Sequence, residues 1–221
     1  MNTRYEVKFV LNELEFLEAS YFLKSINSFN SYPNRNVNSL YFDTYNYSSI
    51  RDNISGISNR KKLRLRWYDD FLNPSLEIKN KFSRVGNKKS YKVDFLEKQI
   101  FKKSNINELS ELIFKNSKIK ESFLENSFVP TLKVSYIREY YETKNGLRIT
   151  LDKEIKFSQV LPNRPINFFK EINTESRVME LKFPAELKPH VVNLIRNLNL
   201  TPKRNSKYLL GMSKLGYVNY V

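Results

Sequence analysis

Lys62-Leu63-Arg64-Leu65-Arg66-Trp67 places basic and apolar residues in strict alternation. Successive side chains of a β-strand point to opposite faces, so the Lys and Arg residues share one face and Leu63, Leu65 and Trp67 the other. The same reading applies to Glu6-Val7-Lys8, Glu77-Ile78-Lys79 and Glu180-Leu181-Lys182, where acid and base fall together on one face. It extends to Leu147-Arg148-Ile149-Thr150-Leu151-Asp152 and, with a more apolar mixture, to Leu132-Lys133-Val134-Ser135-Tyr136-Ile137-Arg138. A one-sided antiparallel sheet with its polar face in water would also alternate. The residue types depart from that simple case. Arg offers a planar fork matched to phosphate oxygens and Lys a compact point charge, and both crowd these stripes.

The balance of charge points to the same class of partner. Among 221 residues, 38 Lys and Arg against 23 Asp and Glu give a formal net charge of +15. Such a charge draws in anions and concentrates them in a cleft. Nucleic acid, a nucleotide, polyphosphate and an anionic membrane are all admissible on charge alone. The chain has no Cys, which excludes disulfides, Cys-ligated zinc and thiol catalysis. His190 stands alone and cannot build a His-rich metal site. Any metal must therefore take oxygen ligands, which favours Mg²⁺ or Mn²⁺. No apolar run approaches the roughly 18–20 residues of a membrane span, and no apolar signal region precedes Arg4. A cytoplasmic protein without an integral membrane segment is expected. With no linker or low-complexity tract, residues 1–221 read as a single domain.

Along the chain, the spacing predicts a strand over 4–10 and then a helix with Asn12 as N-cap and Glu15 completing a capping box. Leu11, Leu14, Leu17 and Tyr21 recur at helical spacing and form its expected core face. Residues 32–38, with one Pro and several Asn, read as a loop, followed by a strand over 39–44. Strands over 59–68, 75–82 and 88–93 form an antiparallel meander. Helical spacing takes over across 94–126, with Phe95, Ile100, Leu109, Leu112 and Ile113 as core contacts. A strand over 128–142 and the turn signal Asn145-Gly146 lead to strands over 147–151, 154–160 and 177–183, then to a helix after Pro189. The aromatic residues Tyr5, Phe9, Tyr41, Phe42, Trp67 and Tyr140 read as packing.

Arg4-x-Glu6-x-Lys8, Ser39-Leu40-Tyr41-Phe42-Asp43-Thr44, Arg64-x-Arg66, Leu76-Glu77-Ile78-Lys79, Tyr136-x-Arg138, Arg148-x-Thr150-Leu151-Asp152, Glu180-Leu181-Lys182 and Ser206-Lys207-Tyr208 follow one another over nearly the entire chain. In that order they resemble the motif series of the VTC domain, the polyphosphate polymerase domain within the CYTH or triphosphate tunnel metalloenzyme superfamily. The resemblance implies an α+β fold: a closed antiparallel β-barrel tunnel of about eight strands, with helices packed outside. It implies phosphate binding by Arg4, Lys8, Arg64, Arg66, Lys79, Arg138, Arg148 and Lys182, with Arg204, Ser206 and Lys207 near one mouth. The catalytic set it implies is Arg64, Arg66, Lys79, Arg138, Arg148 and Glu180. Glu180 would be the principal ligand of Mn²⁺ or Mg²⁺. Glu6 and Glu77 would either join it through water or hold neighbouring cations in place.

The implied activity is transfer of a terminal phosphoryl group from ATP or another nucleoside triphosphate to a growing polyphosphate chain. Hydrolytic members of the superfamily carry Glu-x-Glu-x-Lys near the N-terminus, whereas Arg4 occupies the first acidic position here. That exchange favours polymerase over a metal-dependent inorganic triphosphatase or nucleoside triphosphatase. The hydrolase and a non-catalytic polyphosphate-binding module remain the alternatives. No nucleic-acid partner is expected, because the basic residues lie on strands expected to face inward. The regulatory SPX domain and membrane helices that accompany the eukaryotic domain are missing from these residues, so the expected activity is one exercised without them.

Overall fold

A computed structural model of the chain describes residues 4–82, 85–93, 104–115, 128–161 and 171–219. Strand β1 (Arg4–Leu11) ends at Asn12, whose side chain accepts from Glu15 N at 2.9 Å while its own N–H donates to Glu15 Oε2 at 2.7 Å. This capping box starts helix α1 (Glu13–Ser25) as expected. The buried face of α1 differs from expectation. Ala19, Phe22 and Leu23 are buried, with Phe16 and Ile26 packed beside them, while Leu14, Leu17 and Tyr21 are 72%, 51% and 71% exposed. Two apolar stripes compete in this short helix, and the one with two Phe rings buries the greater apolar area. Leu11, which the other stripe requires, is buried in β1 instead.

Strand β2 (Phe29–Thr44) includes residues expected to form a loop. Its first half is largely exposed, so polar residues and Pro33 belong here to a solvated strand, and only residues 37–44 are continuously buried. Helix α2 (Ser48–Ile54) leads to the expected meander of β3 (Arg60–Tyr68), β4 (Leu72–Phe82) and β5 (Val85–Lys92). Helix α3 (Ile106–Phe114) begins with a second capping box, at Asn105 and Glu108. It buries Leu109 and Ile113 and half-buries Leu112; Phe95 and Ile100 lie outside the described residues. Strands β6 (Phe128–Glu142) and β7 (Arg148–Gln159) flank the turn at Gly146, whose φ of 87° suits glycine. The two strands expected over 147–160 are one, because Glu154 takes a left-handed φ of 52° without ending the ladder. Strands β8 (Glu171–Thr174) and β9 (Arg177–Pro184) follow, then α4 (Lys188–Arg196) and α5 (Lys207–Lys214).

The strands form one sheet in the order β1-β9-β7-β6-β2-β3-β4-β5, with β8 paired to β7. The fold is α+β with antiparallel pairing, as expected. Eight strands lie along the hydrogen-bonded order, as expected, with β8 beside β7; closure differs, since among the described residues the order has β1 and β5 as its ends. Lys203 N donates to Lys8 O of β1 at 2.9 Å, and β5 carries Lys88, Lys89 and Lys92, the residue type that blunts an edge.

The chain forms two compact units. One comprises residues 1–36, 136–155 and 173–206, and is built on Phe9, Leu11, Leu23, Ile149, Met179, Leu181 and Val191. The other comprises residues 37–135, 156–172 and 207–221, and is built on Leu40, Phe42, Leu63, Leu65, Trp67, Leu76, Ile78, Leu109 and Ile113. These are the apolar faces of the alternating strands together with the helix residues Leu23, Leu109, Ile113 and Val191 packed on them. In the second unit α5 lies so close that a Cβ on Gly211 would stand 2.6 Å from both Leu132 Cδ2 and Phe157 Cδ1. Tyr208 of this helix donates to Asp43 Oδ2 at 2.9 Å, shares a 2.9 Å hydrogen bond with Thr131 Oγ1 and stacks on Tyr41 at 4.8 Å. No helix among the described residues is long and apolar enough to cross a membrane.

Asp43 is fully buried, so removing the Tyr208 hydroxyl leaves a carboxylate oxygen short of a donor. Tyr208→Phe is expected to cost about 1–3 kcal/mol. A shift in the urea midpoint at unchanged slope checks it, and an unchanged midpoint contradicts the bond.

Candidate functional site

In the second unit the polar faces of β2 to β5 line up by register. Tyr41 stands opposite Arg64, Arg64 opposite Glu77, and Glu77 opposite Ser90. Ser39 pairs with Arg66, and Lys62, Lys79 and Lys88 form the adjoining row. Glu77 is the centre of this face. Its Oε2 accepts from Arg64 Nε at 2.8 Å and Nη2 at 2.6 Å, and its Oε1 from Lys88 Nζ at 2.9 Å. Arg66 Nη1 lies 3.9 Å from Oε2, while its Nε and Nη2 each donate to Ser39 Oγ at 3.2 Å. Burial pushes the Glu77 pKa up, but the Arg64 and Arg66 charges and the Lys88 and Arg64 hydrogen bonds outweigh it, leaving a value of about 2. Tyr41 OH accepts from Arg64 Nη1 at 3.2 Å. Burial raises its pKa too, yet Arg64, Arg66 and Lys207 bring the net shift downward. A phenol surrounded by three cations thus marks a strongly positive face.

The first unit carries a similar constellation. Glu6 stands opposite Lys182 and Lys8 opposite Glu180 on β1 and β9; Arg148 and Thr150 of β7 face Lys182 and Glu180 from the other side. Lys182 Nζ lies 2.6 Å from Glu180 Oε1, and Lys8 Nζ lies 3.7 Å from Glu180 Oε2 and 2.8 Å from Glu6 Oε1. Burial raises the Glu180 pKa, but Lys8, Lys182 and Arg138 hold it at about 2. Arg138 makes a fork with fully buried Asp152, Nε to Oδ1 at 2.6 Å and Nη2 to Oδ2 at 2.8 Å, and lies over the Tyr136 ring at 5.2 Å. Arg148 is more exposed and meets Glu142 at 3.4 Å.

The expected site residues therefore fall into two groups. Arg64, Arg66 and Lys79 share a face of the second unit, where Lys207 acts on Tyr41. Lys8, Arg138, Arg148, Glu180, Lys182 and Glu6 share a face of the first. Arg4 is exposed opposite Pro184, Arg204 is exposed, and Ser206 and Lys207 are half-buried. Three participants lie outside the expected site residues. Lys88 reaches Glu77 through a cross-strand register that alternation cannot supply. Asp152 holds Arg138 through the pairing of β6 with β7, which the sequence pattern does not specify. Tyr41 was assigned to packing; it packs on Tyr208 and also accepts from Arg64.

A divalent oxygen-seeking ion finds two candidate carboxylates in the first unit, Glu180 and Glu6, set on neighbouring strands and linked through Lys8. Among the described residues no group of three or more His, Cys, Asp or Glu could hold a metal. Two carboxylates suit Mg²⁺ or Mn²⁺ when phosphate oxygens and water complete the shell. Glu77 fits the other role considered for it, because both its oxygens hold cations.

This antiparallel sheet with its flanking helices is similar in fold to several solved structures. A putative adenylyl cyclase from Hippeastrum, described as having a dominant triphosphatase activity, is 15% identical with a TM-score of 0.59, covering 96% of this chain and 96% of its own. A putative adenylate cyclase from Vibrio parahaemolyticus is 14% identical at TM-score 0.53, covering 95% and 98%. A protein from Pyrococcus horikoshii is 15% identical at TM-score 0.52, covering 97% and 99%. No curated protein sequence matches. The chain belongs to the VTC domain family, whose sequence model matches residues 3–216.

The two depressed carboxylates set an acid limit. Glu77 and Glu180 lie at about 2 against an ordinary 4.5, so their stabilisation is complete above pH 4.5 and lost as pH falls toward 2. Urea midpoints from pH 6 to pH 2.5 should fall across that window. Glu77→Gln should flatten the fall and lower stability at pH 7 by about 3 kcal/mol, since it leaves Arg64 and Arg66 without their counter-charge.

Proposed function

We propose that this chain is a nucleotide-dependent polyphosphate polymerase acting as a single domain over residues 1–221. The γ-phosphoryl group of ATP or another nucleoside triphosphate passes to the terminal phosphate of a polyphosphate chain. The bond from the γ-phosphorus to the β–γ bridging oxygen breaks, a new P–O–P link forms, and the nucleoside diphosphate leaves. Such chemistry asks the protein for positioning and charge stabilisation rather than covalent participation.

The observation supporting transfer over hydrolysis is that the acids of these faces are committed to cations. Glu77 holds Arg64 and Lys88, Glu180 holds Lys182 and Asp152 holds Arg138. With Glu77 and Glu180 at about 2, neither is a competent base for activating water near neutrality. An acceptor phosphate is already anionic and needs no base.

In this reading Arg64, Arg66, Lys79, Arg138, Arg148, Lys8 and Lys182 bind and orient the phosphates. Tyr41 and Glu77 fix Arg64, and Asp152 fixes Arg138. Arg4, Arg204, Ser206 and Lys207 serve the ends of the bound polymer. Glu180 and Glu6 would hold Mg²⁺ or Mn²⁺, which supplies charge compensation on phosphate oxygens. The diagonal placement of Glu6 and Glu180 about Lys8 also supports a second reading, metal-dependent triphosphate hydrolysis at the same residues.

Incubation with ATP and Mn²⁺ or Mg²⁺, followed by gel analysis, separates the two. A ladder of long chains with nucleoside diphosphate supports the polymerase, and orthophosphate without chain growth overturns it. Arg148→Ala should weaken polyphosphate binding about tenfold while leaving the urea midpoint unchanged, as its ion pair with Glu142 is long and exposed. Glu180→Gln should abolish turnover yet retain binding; near-normal turnover at low metal would make Glu180 only a partner for lysine.

A further inference from the structure

Thr150 is the exception on the polar face of the first unit. Its Oγ1 is buried with no hydrogen-bond partner, whereas the ionised neighbours around it are paired. It stands opposite Glu180 across the β7–β9 ladder, one alternation after Arg148 and one before Asp152. Residues directly opposite in an antiparallel pair bring their Cβ atoms to about 4.5–5.5 Å, so Oγ1 and the Glu180 carboxylate occupy the same small region. Lys182 Nζ lies 2.6 Å from one Glu180 oxygen and Lys8 Nζ 3.7 Å from the other, and the Thr150 hydroxyl makes no hydrogen bond to either.

Burying an unsatisfied hydroxyl costs free energy, and Val would fill the same space in a strand without that cost. Packing alone therefore does not account for a hydroxyl at this position. A second group nearby in the fold is also incompletely used: Arg138 spends Nε and Nη2 on Asp152, and its Nη1 has no partner among the described residues. A hydroxyl and a guanidinium N–H on one polar face are both donors for an oxyanion.

We propose that Thr150 is a phosphate-binding residue, its hydroxyl donating to a phosphoryl oxygen of a bound condensed phosphate beside Glu180. The inference rests on the phosphate-binding reading above and adds a neutral donor to it. Phosphate oxygens exceed the number that lysines and arginines can meet with good geometry, and a hydroxyl supplies direction where a point charge does not. The ligand completes the residue's hydrogen bonding, so empty and filled states should respond oppositely to its removal.

Thr150→Val and Thr150→Ser would be compared with the parent in melting temperature and in calorimetric affinity for tripolyphosphate, with EDTA and with Mg²⁺. Thr150→Val should melt at or above the parent when empty and bind tripolyphosphate ~10-fold more weakly in both conditions. Thr150→Ser should bind within about threefold of the parent, because it keeps the donor. Unchanged affinity in Thr150→Val, or a lower melting temperature without ligand, overturns the inference. An effect seen only with Mg²⁺ assigns the hydroxyl to the ion's water shell and overturns direct donation. Failure of the parent to bind tripolyphosphate overturns the phosphate-binding reading itself, and this inference with it.

Discussion

Cations of like sign can be crowded onto a partly buried face only if something among them carries the opposite charge. Glu77 does this for Arg64, Arg66 and Lys88, and Glu180 for Lys8 and Lys182. Each carboxylate is nearly enclosed, so its interactions are screened less than those of a surface pair. The same contacts that hold the acids ionised hold the cations in place. The geometry of such a face is largely set by its own ion pairs.

Alternation makes this possible at the level of the chain. Leu63, Leu65 and Trp67 enter the core from the same strand that presents Arg64 and Arg66 on the other side. Ile149 and Leu151 do so beside Arg148 and Thr150, and Met179 and Leu181 beside Glu180. Hydrophobic burial therefore anchors each functional side chain through its immediate neighbours. A slip of one residue in register would place charges in the core and expose leucines, an error the fold cannot tolerate.

Strands with a strict period of two were legible in the sequence, and so were both the N-cap at Asn12 and the turn at Gly146, because their causes are local. Register was not. The pairing of Glu77 with Lys88 depends on how β4 meets β5, and the fork between Arg138 and Asp152 on how β6 meets β7. The core face of α1 was misread because its sequence holds two apolar stripes, and tertiary packing chooses between them. The exposed half of β2 was misread because a solvated strand has the composition of a loop. The family resemblance pointed to Glu77 as a holder of neighbouring cations, but not to Lys88 or Asp152 as partners. Tyr41 also lies within a quoted motif, yet its hydrogen bond to Arg64 is a fact of geometry.

The close approach at Gly211 sets a mechanical tolerance for the helix that begins at Lys207. With no side chain at that point, α5 settles against Leu132 and Phe157, and the distance from helix axis to sheet is fixed by atoms that never meet a ligand. Tyr208, three residues earlier, inherits that distance and carries it to Tyr41 through the ring stack. A single methyl group added to the chain at 211 would act as a shim beneath the helix. It would lift the charge of Lys207 away from the sheet, detuning a distant electrostatic field through nothing more than a change in thickness.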